Sequence, residues 1–460
     1  MNIVMLTNTY LPHVGGVARS VDSFAGALRR RGHRVLVVAP TFPGTPGHEP
    51  EVIRVPAIQR FNGSDFSVRL PVPGPLWGEM ERFAPDVLHT HHPFLMGDTA
   101  MRIAAWHGLP LVFTHHTMYE RYTHYVPGNS PQMRQFVIRL ATDFANLCDR
   151  VIAPSESIRA ILRERGVQPT ITAVPTGIDP ARFAAGDGPA ARQRYGIPPT
   201  AFVVGHVGRL APEKNLAFLA RAAARFVRGR DDAHVLIVGD GPSEADVRDA
   251  FDGQGLGDRL HLTGSLAGQA LADAYHAMDV FAFASQSETQ GMVVAEAMTA
   301  GVPVVAVDAP GVREIVRDGC NGRLLAAESE TGFADALGKV AELARASGGA
   351  ALRELAAGAR ATADELSLER CTDRLEAVYA GLTESAAGVA SASPGGRRRT
   401  RGGGGRGGGD GGGGGDEGVV ENAWTRTLRL VEREWDLWEG RTEAAWESLR
   451  PGGAGEQAGR

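Results

Sequence analysis

Residues 2–40 read NIVMLTNTYLPHVGGVARSVDSFAGALRRRGHRVLVVAP. NIVML (2–6) and RVLVVAP (34–40) are short apolar runs of strand length. Between them, residues 17–31 carry apolar side chains at the three- and four-residue steps of a helix. Gly15 and Gly16 supply the tight turn into that helix. Strand, turn, helix and strand make a βαβ unit. Runs this continuously apolar belong to a parallel sheet covered on both faces.

The rhythm continues outward. DVLHTH (86–91), PLVFTHH (110–116) and RVIAPS (150–155) read as further buried strands, separated by helical patterns such as DTAMRIAAWHG. After a Gly/Pro/Ala-rich connector at 177–199 it begins again, with FVVGHVGRL (202–210), HVLIVGDGP (234–242), RLHLTGSL (259–266), VFAFAS (280–285) and PVVAV (303–307). The fold class expected is therefore α/β: two Rossmann-like, doubly wound domains, 1–183 and 184–367, facing across a cleft. Open sheets of this kind bind ligands beyond the C-terminal ends of their strands, so a shared site is expected there. LERCTDRLEAVYAGL (368–382) reads as a helix closing the body.

Beyond it the composition changes. Residues 391–418 are Gly-rich with a cluster of arginines at 397–399 and 401, too poor in apolar residues to build a core, and are expected to form a disordered linker. In 419–450 Trp424, Leu428, Val431, Trp435, Trp438, Ala445 and Leu449 fall on one stripe, so an amphipathic helix is expected. Its polar face mixes acids with arginines, which suits a protein partner as well as a membrane interface.

Composition excludes several classes. A net charge of -5 over 460 residues gives no reason to expect nucleic acid as a partner. Three scattered cysteines, Cys148, Cys320 and Cys371, read as thiols in a reducing compartment. Residues 1–16 lack a signal peptide's basic start, and no apolar run approaches the ~20 residues of a membrane span. A cytoplasmic protein is expected, with possible peripheral contact on the inner face of the cell membrane through Arg29, Arg30, Arg31 and Arg34; a solvated helix terminus is the competing reading.

SETQGMVVAEA (287–297) sets two glutamates eight positions apart. Glu288 falls in a loop after the strand VFAFAS, before Gly291 and a helix starting near Met292. The N–H groups of Thr289, Gln290, Gly291 and Met292 suit a phosphate or sugar oxygen. Glu296 lies among Val293, Val294, Ala295 and Met298, where a carboxylate is costly unless it accepts hydrogen bonds. Spacing alone admits either a ribose ligand or a helix glutamate turned to solvent. HVGRLAPEKN (206–215) leaves a strand at Gly208 and presents Arg209 and Lys214, two cations suited to a pyrophosphate or to the surface of the next helix. The chain contains no Asp-x-Asp, so no obvious carboxylate pair holds a metal. VGDGPSEADV (238–247) reads as a plain turn with Ser243 capping a helix.

Histidines crowd two strand ends, His89, His91 and His92 and then His115 and His116. No Cys or carboxylate stands beside them at ligand spacing, and no metal is expected. An imidazole there is suited to a sugar hydroxyl, and Tyr119, Tyr122, His124 and Tyr125 read as an aromatic loop for an acceptor.

Together these motifs resemble the retaining nucleotide-sugar glycosyltransferases of family 4, which have the GT-B architecture. TYLPHVGGV, FTHHT, VIAPSESIRA, VPTGID, HVGRLAPEKN and the glutamate pair occur in the family's order across roughly residues 1–382. The resemblance implies that Arg209 and Lys214 bind the donor diphosphate and stabilise the leaving group, and that Glu288 meets the donor sugar. It implies Glu296 on the ribose, backbone at Gly264, Ser265 and Leu266 by the base, and His116 under the sugar hydroxyls. Gly16 would approach the diphosphate, with Gly15 on the acceptor side. No cofactor is implied. HTMYERYTHYVP (116–127) resembles most closely the bacterial 1,2-diacylglycerol 3-glucosyltransferases, implying UDP-glucose as donor and a lipid or small hydroxyl acceptor. GDP-mannose transfer to phosphatidylinositol or a soluble acceptor, and a non-catalytic sugar-nucleotide binder, are the alternatives.

Overall fold

A computed structural model describes residues 1–13, 15–47, 49–57, 76–121 and 130–392 (backbone alone at 347–348 and 385–392), with Arg429, Glu432, Arg433, Asp436 and Arg441. Two compact units divide the chain. One comprises 1–152, 162–172 and 373–460, the other 153–161 and 173–372. The chain thus changes unit between 152 and 173, earlier than the 183 read from sequence.

The first unit is built on a seven-stranded sheet. In chain order its strands are β1 (Asn2–Leu6), β2 (Arg34–Pro40), β3 (Val52–Val55), β4 (Val87–Thr90), β5 (Leu111–Thr114), β6 (Arg150–Ala153) and β7 (Ile171–Ala173). The spatial order is β3-β2-β1-β4-β5-β6-β7, and the pairings of β1 with β2 and β4 are parallel, Ile3 lying between Val35 and Val87. The order reverses between β1 and β4, which makes that the switch point where loops diverge and leave room for a ligand.

The second unit carries β8 (Phe202–Val207), β9 (Ala233–Val238), β10 (Leu260–Leu262), β11 (Val280–Phe283), β12 (Val304–Val307) and β13 (Gly322–Leu325) in the order β10-β9-β8-β11-β12-β13. Its switch point falls between β8 and β11. Val203, Leu236, Phe281 and Val304 join one core, while Val204, Val235, Ala282 and Val305 join another on the opposite face. Alternation with both faces buried is the signature of a doubly wound sheet. Both units therefore have the Rossmann-like architecture of the GT-B class.

Three strands escaped the sequence reading: β3, β7 and β13. Each is short, three or four residues, and lies at or near a sheet edge, where too few apolar residues stand together to announce a strand. The closing helix is longer than read, Leu368–Ala392, and runs two residues into the Gly-rich stretch. The remainder of 391–418, and the tryptophan stripe of 419–450, lie outside the described residues. Among the described residues no helix is long and apolar enough to cross a membrane.

The arginines ending the first helix (Gly16–Arg30) are largely committed within their own unit. Arg29 bonds Val35 O at 2.8 Å and pairs with Glu51 at 2.7 Å. Arg31 pairs with Asp373 and Glu376, and Arg34 lies 4.8 Å over the Phe83 ring. Arg30 stays exposed. A four-arginine headgroup patch is thereby reduced, because cations satisfied by carboxylates and carbonyls have less to gain from phosphate.

Candidate functional site

The second unit places the loops after β8 and β11 on either side of its switch point; these two loops carry Arg209, Lys214 and Glu288, and Glu296 follows in the helix Met292–Thr299. The β8 loop is held in shape by its neighbour. Gly208 N donates to Val238 O at 3.0 Å, and Leu210 N to Asp240 O at 2.8 Å. A Cβ on Gly239 would run into Gly208 O, and one on Gly241 into Leu210 O. The VGDGP loop is thus more than a plain turn: its glycines let two backbones touch. Ser243 does precede its helix, but its side chain makes no capping hydrogen bond.

The β8 and β11 loops are also stitched together. Ser285 Oγ and Ser287 Oγ both donate to Glu213 O, at 3.3 and 3.2 Å. This brings Lys214, at the end of the 3-10 turn Pro212–Lys214, onto Glu288 as an ion pair. Burial pushes the Glu288 carboxyl up, but the Lys214 charge and hydrogen bond, with help from Ser285, hold it below its usual value. Arg209 stands exposed one residue beyond Gly208.

Gly291, at φ 77, opens the helix Met292–Thr299. The left-handed turn there favours glycine. Ahead of it, Gln290 is buried and spends its side chain inward: Oε1 accepts from Thr176 N and Nε2 donates to Thr176 O, both at 2.6 Å. Its side chain therefore clamps the VPTGID segment and does not face a ligand, so any donor contact is by backbone. Thr289 and Met292 flank it, partly exposed.

Glu296 is 4 % exposed, and the Tyr275 hydroxyl donates to its Oε2 at 2.7 Å. The solvent-facing reading fails, because helix Met292–Thr299 packs its second turn into the core. Tyr275, on helix Gly268–His276, was missed: nothing in ALADAYHAMD distinguishes it from an ordinary core aromatic. Gly264 and Ser265 follow β10, but their backbone is partly committed. Gly239 N donates to Gly264 O at 2.9 Å, and Ser265 N to Asp240 Oδ2 at 2.9 Å. Leu266 packs against the core of the unit. Ser265 N–H is thus not the group that meets a base.

The first unit sets its glycines and histidines at its own switch point. Gly15 is the extended N-cap residue of helix Gly16–Arg30, and a Cβ on Gly16 would meet nothing within 4 Å. The chain's own packing thus leaves room for a side chain at 16.

The histidines form pairs. His89 bonds Tyr379 Oη through Nδ1 at 2.6 Å and Thr114 Oγ1 through Nε2 at 2.7 Å. His92 Nδ1 accepts from Asn8 N at 3.1 Å, which puts the proton of the neutral ring on Nε2. His91 Nδ1 meets His116 Nε2 at 2.9 Å, the rings stacked 5.2 Å apart. Burial pushes His89 and His92 down to about 3 and His115 to about 4. Burial and neighbouring imidazoles hold His91 and His116 well below their ordinary range. The cluster is neutral, a set of hydrogen-bonding groups without charge.

Tyr119 lies in a short turn, edge-on to Phe94 at 5.2 Å and to His115 at 5.6 Å. Tyr122, His124 and Tyr125 lie outside the described residues. Among the described residues no three His, Cys, Asp or Glu side chains converge as a metal would need.

Comparison with known proteins bears on what such loops do. A family model described as Glycosyltransferase Family 4 matches residues 14–182, and one described as Glycosyl transferases group 1 matches 201–342. The alpha-monoglucosyldiacylglycerol synthase of Streptococcus pneumoniae is 29 % identical over 349 residues, covering 72 % of this chain and 76 % of its own. The GDP-mannose-dependent alpha-mannosyltransferase of Mycolicibacterium smegmatis is 35 % identical over 337 residues, covering 71 % and 84 %. Among solved structures, Anabaena HepE in complex with UDP superposes with a TM-score of 0.66 at 22 % identity, covering 83 % of this chain and 100 % of its own. The loops at both switch points lie within these matches, and the chain belongs to glycosyltransferase family 4 as a hexosyltransferase.

Proposed function

We propose that the protein transfers glucose from UDP-glucose, with retention, to a hydroxyl of a lipid acceptor such as diacylglycerol. The observation that carries transfer from a sugar nucleotide is the Lys214–Glu288 pair at the switch point of the second unit. Lys214 offers three donors on one charge, so it can keep Glu288 and still bind the diphosphate. Together with Arg209 it neutralises the charge that develops as the glycosidic bond breaks, worth ~3–4 kcal/mol for one well-placed donor. Glu288, kept ionised, orients the lysine and meets a sugar hydroxyl. Glu296, oriented by Tyr275, binds the ribose diol.

In the first unit, neutral His116 supplies a hydrogen bond to a sugar hydroxyl, and Gly16 admits the diphosphate close to a helix N-terminus. Tyr119 and the loop beyond it serve the acceptor. Attack from the face the nucleotide leaves would retain configuration, with the departing phosphate taking the acceptor's proton. A lipid acceptor would be met at a membrane surface, on the cytoplasmic side.

The glucosyl and lipid assignments rest on similarity to the alpha-monoglucosyldiacylglycerol synthases. A second reading, mannosyl transfer from GDP-mannose, is favoured by the higher identity to the mycobacterial mannosyltransferase. Thermal shift against UDP-, GDP- and ADP-sugars discriminates the donors, since a ligand bound at 100 times its Kd stabilises by ~2.7 kcal/mol. Product analysis with diacylglycerol or phosphatidylinositol in mixed micelles then identifies the acceptor. Stabilisation by GDP-mannose alone would overturn the glucosyl assignment.

A further inference from the structure

Helix Met96–His107 turns no face fully to solvent. A helix on an open sheet ordinarily keeps a polar stripe in water, and helix Gly16–Arg30 does, with Asp22 and Arg30 exposed. In helix Met96–His107 no residue is exposed. Trp77 covers its C-terminal turn, with ring centroids 5.5 Å from Trp106 and 5.7 Å from His107.

The rest of the cover comes from the far end of the chain. Asp98, in the first turn, is 3 % exposed, and both its carboxylate oxygens accept from Arg441 Nη2 at 2.7 Å. At the other end the guanidinium of Arg429 occupies the space a Cβ on Gly108 would take. Gly108 closes the helix, where unsatisfied carbonyls favour a cation. Arg433 is close enough to the buried Cys148 for its charge to oppose the rise that burial and Asp149 impose on that thiol. Of the five described residues of this segment, all helical, Glu432 and Asp436 are exposed while the three arginines are half-buried. Cations are not taken from water without compensation; Arg441 finds it in the buried Asp98 carboxylate, and Arg429 lies beside the C-terminal end of the helix.

We propose that the C-terminal segment bearing Arg429, Arg433 and Arg441 is a latch that docks in cis on the outer face of helix Met96–His107, keyed by the Arg441–Asp98 pair. The family matches end at residue 342, well short of it. The intervening sequence, 393–428, is long enough at ~3.3 Å per residue for the segment to reach its own chain's helix. The helix it grips sets the turn after β4. Met96 N donates to Asn8 Oδ1 at 3.1 Å, and Gly97 packs against His92 O so closely that a Cβ there would overlap it. Docking the latch therefore stiffens the turn that carries His91 and His92, and release loosens it.

Hydrogen–deuterium exchange on the full chain tests this. In a full-length variant with Arg429→Ala, Arg433→Ala and Arg441→Ala, amides 97–107 should exchange at least tenfold faster than in the parent, and Asp98→Asn should do the same. Light scattering should find the parent monomeric, with protection independent of concentration. Unchanged exchange in the triple-arginine variant overturns the latch. So does protection that is lost on dilution together with a dimer, which would mean the segment docks on a second copy. The arginines lie outside the cores of both sheets, so the triple variant remains a valid test if Asp98→Asn fails to fold.

Discussion

The two units solve one problem, placing polar groups at the switch point of a buried parallel sheet, in opposite ways. The second uses full charges held in a pair, Lys214 on Glu288. The first uses imidazoles kept neutral by burial, His89, His91, His92, His115 and His116. A diphosphate carries charge and calls for countercharge, whereas a sugar hydroxyl needs only a donor or acceptor, and a neutral ring supplies that without the cost of burying an ion. Glycine usage differs in the same sense. Gly239 and Gly241 are required by the chain's own contacts, while Gly16 is required by none.

The largest effect that would break this comparison is on the charged side. Lys214→Ala should lower kcat/KM for transfer by ~10²–10³, the loss expected for one donor aimed at developing charge. It should also lower the melting temperature, because Glu288 is left partly buried without its cation. Initial rates and thermal melts check both; a fall of less than fivefold would remove Lys214 from the donor site.

Acid should separate the two units next. The histidines at about 3 and 4 lie below the 6.5 of an unfolded histidine, so between pH 6.5 and 4 the unfolded chain binds protons that the folded chain does not. Stability should therefore fall as pH falls through that window, by about 1.4 kcal/mol per unit for each such ring. Glu288 has the opposite timing. Its folded value is depressed, so its contribution is present above the unfolded carboxylate value and is lost only as pH drops through the lower folded one. Denaturant melts from pH 7.5 to 5, followed by exchange at β4 and at β8, should show the first unit losing protection first, since it carries His89, His92 and His115 against His206 on β8, which burial pushes down to about 4. Stability flat from pH 7 to 5 would contradict the neutral cluster.

Smaller effects sharpen the picture. Tyr275→Phe removes one hydrogen bond from a buried carboxylate and should cost ~1–3 kcal/mol of stability. It should raise the donor KM severalfold with little change in kcat, which distinguishes orientation of Glu296 from chemistry. Gly16→Ala should leave the melting temperature within about a degree, since nothing lies within 4 Å of the added methyl, while the donor KM rises. A stability loss without a KM change would assign Gly16 to folding.

Much of this was legible from the chain itself. Apolar runs at strand spacing, interrupted by helical periods, dictate two doubly wound sheets, because a strand buried on both faces is apolar at most positions. NIVML and RVLVVAP became β1 and β2 with the bounds read, and Arg209, Lys214 and Glu288 fell in the loops after β8 and β11. Side-chain partnership was not legible. Gln290 enters the reading through its backbone N–H alone, and nothing in the sequence tells that its side chain clamps Thr176; Glu296 reads as poised between solvent and ligand and is held by Tyr275, twenty-one positions away. Periodicity is a local property, set by the geometry of consecutive peptides, so the sequence by itself determined the longer elements and their order along the chain, while the short strands β3, β7 and β13 carry too little of it to be read. Which polar atom meets which is decided by packing between elements distant in the chain, and only the tertiary structure could show that Asp98 is answered by Arg441.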